Sequence, residues 1–263
     1  MTTDVQTIAD DRALGLRGRV ALITGAGNGM GRTHALELAR RGARIGALDV
    51  EADAAEQTVD NVQAAGGEAL ALPADVTDQA AVSVAVERLT DEWGQLDILV
   101  SNAGIVNSTT RFLETDPNEW HRQFDVHVHG TFHVATAVLP WIERSPAGRI
   151  VIVASSWGQV PAGYGYGYCA AKGALINLAK GLAIEYGPKG VCVNAIAPGA
   201  VETRMVAHVS EEERAEDAHI IPAGRYADPA EISQLVAYLV SDAAAFVMGQ
   251  VIPINGGELI VGI

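Results

Sequence analysis

Tyr168 and Lys172 are the residues whose types and spacing could do chemistry first. Four apart on a helix, a phenol and an ammonium share one face, with Cβ atoms about 5–6 Å apart. A phenol has a reference pKa of about 10 and is a poor base at neutral pH. A fixed cation beside it favours the phenolate and lowers that value. Tyr168 is therefore a candidate proton donor and acceptor, with Lys172 as the residue that tunes it.

A second group of residues suits a phosphate-bearing ligand. The turn Gly25-Ala26-Gly27-Asn28-Gly29-Met30-Gly31 follows the apolar run Arg19 to Thr24 and precedes a helical pattern from Arg32 to Arg41. Strand, glycine turn and helix together aim backbone N–H groups and a helix N-terminus at a phosphate. The spacing is Thr-Gly-x-x-x-Gly-x-Gly, because Met30 stands where a G-x-G-x-x-G pattern has glycine. The next apolar run, Arg44 to Asp49, ends in a carboxylate 18 residues past Gly31, followed by Val50. An acid at that distance accepts hydrogen bonds from an adenosine ribose and repels a 2′-phosphate. With neutral Asn28 in the loop, the reading is NAD over NADP.

The elements that must position these groups alternate. Helix 51–65 precedes a strand over 68–74 that delivers Asp75 and Val76. A helix capped by Thr77 or Asp78 runs to Trp93, and a strand over 96–101 leads into Asn102-Ala103-Gly104. Asp116-Pro117 opens a long helix to about Trp141. Strands over 148–154 and 191–197 deliver Ser155-Ser156 and Pro198-Gly199, with Val201 and Thr203 just beyond; a helix over 229–240 and a strand over 251–254 close the chain. This alternation predicts an α/β fold, a parallel sheet of about seven strands with right-handed crossovers and helices on both faces. Ligands in such a sheet gather at the C-terminal strand ends, where the residues named above fall. Residues 1–18 read as a leader, 19–263 as one domain, and the acidic stretch within 204–225 as a lid over the strand ends.

Bulk properties exclude other classes. A net charge of −14 argues against a nucleic-acid surface or an anionic membrane. No basic and apolar N-terminal segment and no run of about 18 apolar residues is present, so the expected location is the cytoplasm. Cys169 and Cys192 suggest neither a disulfide framework nor a metal site. His129 and His133 are four apart, but Gly130 stands where a zinc-protease helix has glutamate, so no metal is expected.

With Thr24 to Gly31, Asp75-Val76, Asn102 to Gly104, the serine pair, Tyr168-x-x-x-Lys172 and Pro198-Gly199 with Thr203 in one order, the chain resembles the short-chain dehydrogenase/reductase family over about residues 17–258. The resemblance implies a Rossmann-type doubly wound fold and an NAD(P)-dependent oxidoreductase. It implies that Tyr168 is the acid/base, that Lys172 lowers its pKa and bonds the nicotinamide ribose, and that a serine polarises the substrate oxygen. Asp75 and Val76 would bracket the adenine, Asn102 and Gly104 would line the cofactor, and Val201 and Thr203 would hold the carboxamide. Thirteen residues before the tyrosine points to Ser155, and second place in a serine pair points to Ser156; the reading prefers Ser156. Where the family has asparagine in an Asp-Val-Asn stretch, this chain has Asp125-Val126-His127, and His127 could carry the proton relay, since imidazole both donates and accepts. A homotetramer built on the helices near 118–140 and 164–186 is also implied.

The expected reaction interconverts a secondary alcohol and a ketone, in a pocket made by Trp157, Tyr164, Tyr166, residues 105–109 and the 204–222 segment. That pocket is aromatic and largely neutral, suited to an uncharged substrate. The rival reading is an NAD-binding regulator without turnover, but such a protein could dispense with Tyr168 or Lys172, and both are kept. Sugar-nucleotide epimerases share the Tyr/Lys pair but use a different glycine spacing and a longer C-terminal part.

Overall fold

The computed structural model describes residues 14–105, 110–207 and 209–260. Most of the leader expected over 1–18, and the pocket positions 106–109, lie outside the described residues.

In chain order the elements are β1 (Val20–Thr24), α1 (Gly29–Arg40), β2 (Arg44–Asp49), α2 (Ala52–Ala64), β3 (Ala69–Pro73), α3 (Gln79–Trp93) and β4 (Ile98–Ser101). There follow α4 (Pro117–Phe124), a π-helical turn (Asp125–His129), α5 (Gly130–Ile142), β5 (Arg149–Val153), α6 (Ser156–Gln159), α7 (Tyr166–Tyr186), β6 (Cys192–Pro198), α8 (Glu211–Ile220), α9 (Pro229–Leu239) and β7 (Val251–Ile254). The seven strands form one sheet in the order β3-β2-β1-β4-β5-β6-β7, and every pairing is parallel.

Parallel strands buried on both faces read as unbroken apolar runs rather than alternating ones, and β1 shows the reason. Val20 and Leu22 point into one core with Leu89 of α3, Val138 of α5 and Leu175 of α7. Ala21 and Ile23 point into the other with Leu38 of α1 and Val236 of α9. Truncating a side chain such as Leu22 removes its transfer free energy and leaves a cavity, which together cost about 2–5 kcal/mol.

Two elements depart from the sequence expectation. The long helix is continuous in path but widens into a π turn at Asp125–His129. Such one-turn bulges occur often at functional sites, and this one carries His127. The stretch 157–167, whose glycines and tyrosines read as a loop before Tyr168, is not all loop, because α6 forms at its start, capped by Ser155, and α7 begins at Tyr166, so Tyr168 sits within its first turn. Among the described residues no helix is long and apolar enough to cross a membrane.

Candidate active site

The strand order reverses between β1 and β4, and the cleft that opens there runs along the C-terminal strand ends. It encloses about 1040 Å³. Gly25, Asn28, Gly29 and Met30 from the glycine turn line it, with Asp49 and Val50 after β2 and Asp75 and Val76 after β3. Asn102, Ala103 and Gly104 after β4 and Thr203 after β6 complete the wall.

The glycine turn is shaped by contact. A Cβ on Gly31 would lie 1.9 Å from the Gly25 carbonyl oxygen, so Gly31 lets the turn fold onto the start of α1 rather than lining the cleft itself. Gly25 holds φ +63°, where side chains are strained. No side chain caps the N-terminus of α1, and its first turn has no acid, so its N–H groups and dipole face the cleft as an anion site. Asn102 ties the floor together by donating through Nδ2 to Thr24 O at 2.9 Å, while its Oδ1 is buried without a partner. An open helix end, a glycine-rich turn and an orphaned acceptor are what a dinucleotide would complete.

At the adenosine end, Asp49 Oδ2 accepts from Gly27 N at 2.7 Å and Oδ1 accepts from Glu51 N at 2.9 Å. Each oxygen keeps a lone pair for a ribose hydroxyl. Glu51 adds a second carboxylate to the same wall. The nearby cation, Arg32, is spent on Thr58 Oγ1 at 3.1 Å and on the Gly27 carbonyl.

The reacting end is built by β5, α6 and α7. Lys172 is 4 % exposed, and its Nζ donates to Val153 O at 2.9 Å and lies 5.5 Å from the Tyr168 ring centroid. Burial pulls its pKa down to about 7. Tyr168 is pushed up from the ordinary phenol value by burial, an effect that a hydrogen bond from Ser155 partly offsets. The expectation that Lys172 lowers the tyrosine pKa is thus corrected for the cofactor-free protein, in which burial of the phenol sets the direction.

The preference for Ser156 is also corrected. Ser155 is the N-cap of α6, its Oγ accepts from Trp157 N at 3.2 Å, and it reaches the Tyr168 hydroxyl. Ser156 is buried as the first residue of α6, and its carbonyl accepts from Val160 N at 3.0 Å. Residue order could not decide this, because successive side chains leaving a strand point to opposite sides and the strand's phase is a tertiary fact.

The π turn places His127, fully buried, with its ring edge-on to Tyr168 at 5.4 Å between centroids. Its Nε2 lies 3.3 Å from Ile105 O, and its Nδ1 has no partner. Burial, then the Lys172 charge, lowers its pKa to about 2, so the ring is neutral. Gly104 makes room for it, since a Cβ there would lie 2.5 Å from His127 Cε1.

Pro198, Gly199 and Val201 are not among the residues that line the cleft. Val201 is buried in the core with Ile232 and Val236 and bridges to Ala227. Pro198 ends β6, and Gly199 N donates to Ile254 O at 3.2 Å. His129 pairs with Asp125 at 3.0 Å, and His133 Nδ1 lies 2.9 Å from Val76 O. Among the described residues no three His, Cys, Asp or Glu side chains converge on a metal position.

On the substrate side, Trp157 contacts both Tyr164 and Tyr168 edge-on, at 5.1 and 6.1 Å. Tyr166 instead packs on Phe112 at 5.3 Å. The pocket is less neutral than its sequence suggested. Asp217 from α8 and Glu258 beyond β7 both act electrostatically on Tyr164. The signal for Glu258 was its place just past Gly256-Gly257, at a C-terminal strand end like the other ligand-facing residues.

A family model described as enoyl-(acyl carrier protein) reductase matches residues 25–258. The chain is 36 % identical over 248 residues to the 3-oxoacyl-[acyl-carrier-protein] reductase FabG of Escherichia coli (strain K12), covering 94 % of this chain and 100 % of that one. It is 36 % identical to the cyclohexanol dehydrogenase of Acinetobacter sp. (strain SE19), covering 90 % and 94 %. A solved 7α-hydroxysteroid dehydrogenase, complexed with NADH and 7-oxo glycochenodeoxycholic acid, superposes with a TM-score of 0.90 at 32 % identity, over 94 % of this chain and 97 % of that one. The chain belongs to the short-chain dehydrogenase/reductase family of nicotinamide-dependent oxidoreductases.

Proposed function

We propose that this protein is an NAD-dependent dehydrogenase that interconverts a secondary alcohol and a ketone, with Tyr168 as general acid/base. The observation that carries the reading is the contact set Ser155–Tyr168–Lys172 at the end of the cleft that Asp49 closes. The choice of NAD rests on Asp49 and Glu51, two carboxylates where a 2′-phosphate would sit, and on Arg32 being committed to the turn.

A bound nicotinamide would accept the hydride in oxidation and return it in reduction. The chain's own residues do the rest. Ser155 holds the substrate oxygen beside the phenol, and Tyr168 takes the hydroxyl proton from that oxygen. Lys172, which keeps N–H donors beyond the one on Val153 O, holds a ribose hydroxyl and favours the phenolate whenever it is protonated. His127, neutral and with an unpartnered Nδ1 in a ring packed edge-on against Tyr168, carries the proton relay in this reading. The 204–225 segment serves as the lid in this reading, supported by Arg204 and Met205, which line the cleft. On the strength of its two free cysteines, we assign the protein to the cytoplasm.

The test is NADH absorbance while cyclic secondary alcohols are offered with NAD or NADP. The expected result is turnover with NAD, with kcat/KM at least about tenfold above that with NADP, since juxtaposing like charges costs more than the 1.4 kcal/mol that tenfold represents. Preference for NADP would remove the assignment to NAD, and tight NAD binding without turnover of any alcohol or ketone would favour the regulator.

We also propose a homotetramer. A groove of about 520 Å³ runs between α5 and α7, lined by Phe132, Leu139, Leu178 and Leu182. Phe132 is 55 % exposed and Ile184 79 % exposed. Exposed apolar surface of this kind marks association sites. Sedimentation is expected to show four copies, and a lone monomer at micromolar concentration would refute it.

A further inference from the structure

The cleft is short of positive charge where its ligand is most negative. A dinucleotide brings a doubly charged pyrophosphate, and four carboxylates line the space it would enter: Asp49, Glu51, Asp75 and Asp125. Two arginines line it as well, Arg122 and Arg204. The arginine nearest the glycine turn, Arg32, is committed to Thr58 and to the Gly27 carbonyl. A helix N-terminus contributes about half a charge, which leaves most of the pyrophosphate unanswered.

The glycine turn sets where along the cleft each group stands. Asp49 faces Gly27, whose N–H it accepts at 2.7 Å, so the ribose end lies there. Thr203 faces Gly29, the first residue of α1: a Cβ on Gly29 would meet the Thr203 side chain at 3.6 Å. Arg204 is the next residue, so its guanidinium is within a side chain's reach of the uncapped end of α1, where the first-turn N–H groups are open.

The turn that carries Arg204 is fixed while its side chain is not. Arg204–Val206 form a 3₁₀ turn. Arg214 of α8 fastens it, donating to the carbonyls of Val206 at 2.9 Å and Val209 at 3.1 Å and to Glu202 at 2.5 Å. Arg214 is thereby committed. Arg204 is exposed, and among the described residues no hydrogen bond or ion pair engages its guanidinium. Many surface arginines are exposed and unpaired; this one stands on the cleft wall, beside an anion-seeking helix end, on a held backbone.

We propose that Arg204 is the cation that clamps the cofactor pyrophosphate, working beside the N-terminus of α1. A guanidinium fork meets phosphate oxygens two at a time, whereas an ammonium offers a point charge. The inference rests on the dinucleotide reading of the cleft, and not on the choice between NAD and NADP, since both carry the same pyrophosphate.

The experiment titrates ADP-ribose, which has the pyrophosphate, and adenosine, which lacks it, into the wild type, Arg204→Gln, Arg204→Lys and Arg122→Gln. A hydrogen bond to a charged group corresponds to about tenfold or more in affinity. Arg204→Gln is therefore expected to raise the Kd of ADP-ribose at least about tenfold and to leave that of adenosine within about twofold. Arg204→Lys should fall between the two, and added salt should weaken ADP-ribose binding more in the wild type than in Arg204→Gln. Because the Arg204 side chain has no partner to lose, the melting temperature without ligand should not move. An ADP-ribose Kd within about twofold of wild type in Arg204→Gln, or an equal loss for both ligands, would overturn the clamp. So would a larger loss in Arg122→Gln than in Arg204→Gln. A wild type that binds ADP-ribose no better than adenosine removes instead the dinucleotide reading on which the proposal stands.

Discussion

Tyr168→Phe is expected to fold, bind NAD as the wild type does, and lose about 10²–10⁴ in kcat, the range that a positioned acid/base supplies. The substitution deletes one oxygen and leaves the ring that packs against Trp157 and His127. Stability and cofactor affinity therefore serve as controls for the loss of turnover. Wild-type kcat in Tyr168→Phe would end the acid/base assignment. The same pair of proteins tests the electrostatics. Without cofactor, burial holds the Tyr168 phenol above its ordinary value, and Lys172 titrates at about 7. The ultraviolet titration of wild type minus variant should therefore show one phenol ionising above the ordinary tyrosine range. A phenol that ionises below it would mean that the ammonium outweighs desolvation even in the free protein. The sign for Lys172 follows from its lowered pKa: its charge is present below about pH 7 and fades as pH rises through it.

Ser155→Ala is expected to lower kcat by about 10²–10³, the usual cost of removing one donor aimed at a reacting oxygen. Ser156→Ala is expected to stay close to wild type. The contrast follows from the caps. Ser155 has extended backbone, accepts from Trp157 N, and turns its hydroxyl to Tyr168. Ser156 is already inside α6 and packed under it. Losing the cap costs Ser155→Ala about 1 kcal/mol of stability, which a melting curve reads separately from the rate. If Ser156→Ala is the crippled enzyme, the assignment is reversed and the α6 geometry with it.

The fold was legible in the sequence because its signals are local and repeated. Apolar runs such as Val20–Thr24 need cover on both faces, glycines mark the turns between layers, and alternation of run and helix admits only parallel pairing with crossovers. The cleft residues Gly25, Asn28, Gly29, Asp49, Asp75 and Asn102 were legible for the same reason, since each follows a strand end and strand ends face the ligand. Tyr168 and Lys172 were legible because a helix fixes what stands four residues away. What the chain did not disclose is whatever depends on phase or on distant segments meeting. Which serine turns inward depends on how β5 hands over to α6. The sign of the Tyr168 shift depends on how deeply the phenol itself is buried, a property of the whole domain. Asp217 and Glu258, forty-one residues apart, act on each other only once α8 and the turn after β7 are brought near by the fold. Periodicity and spacing carry short-range geometry, whereas desolvation and long-range charge are set by the packed tertiary structure.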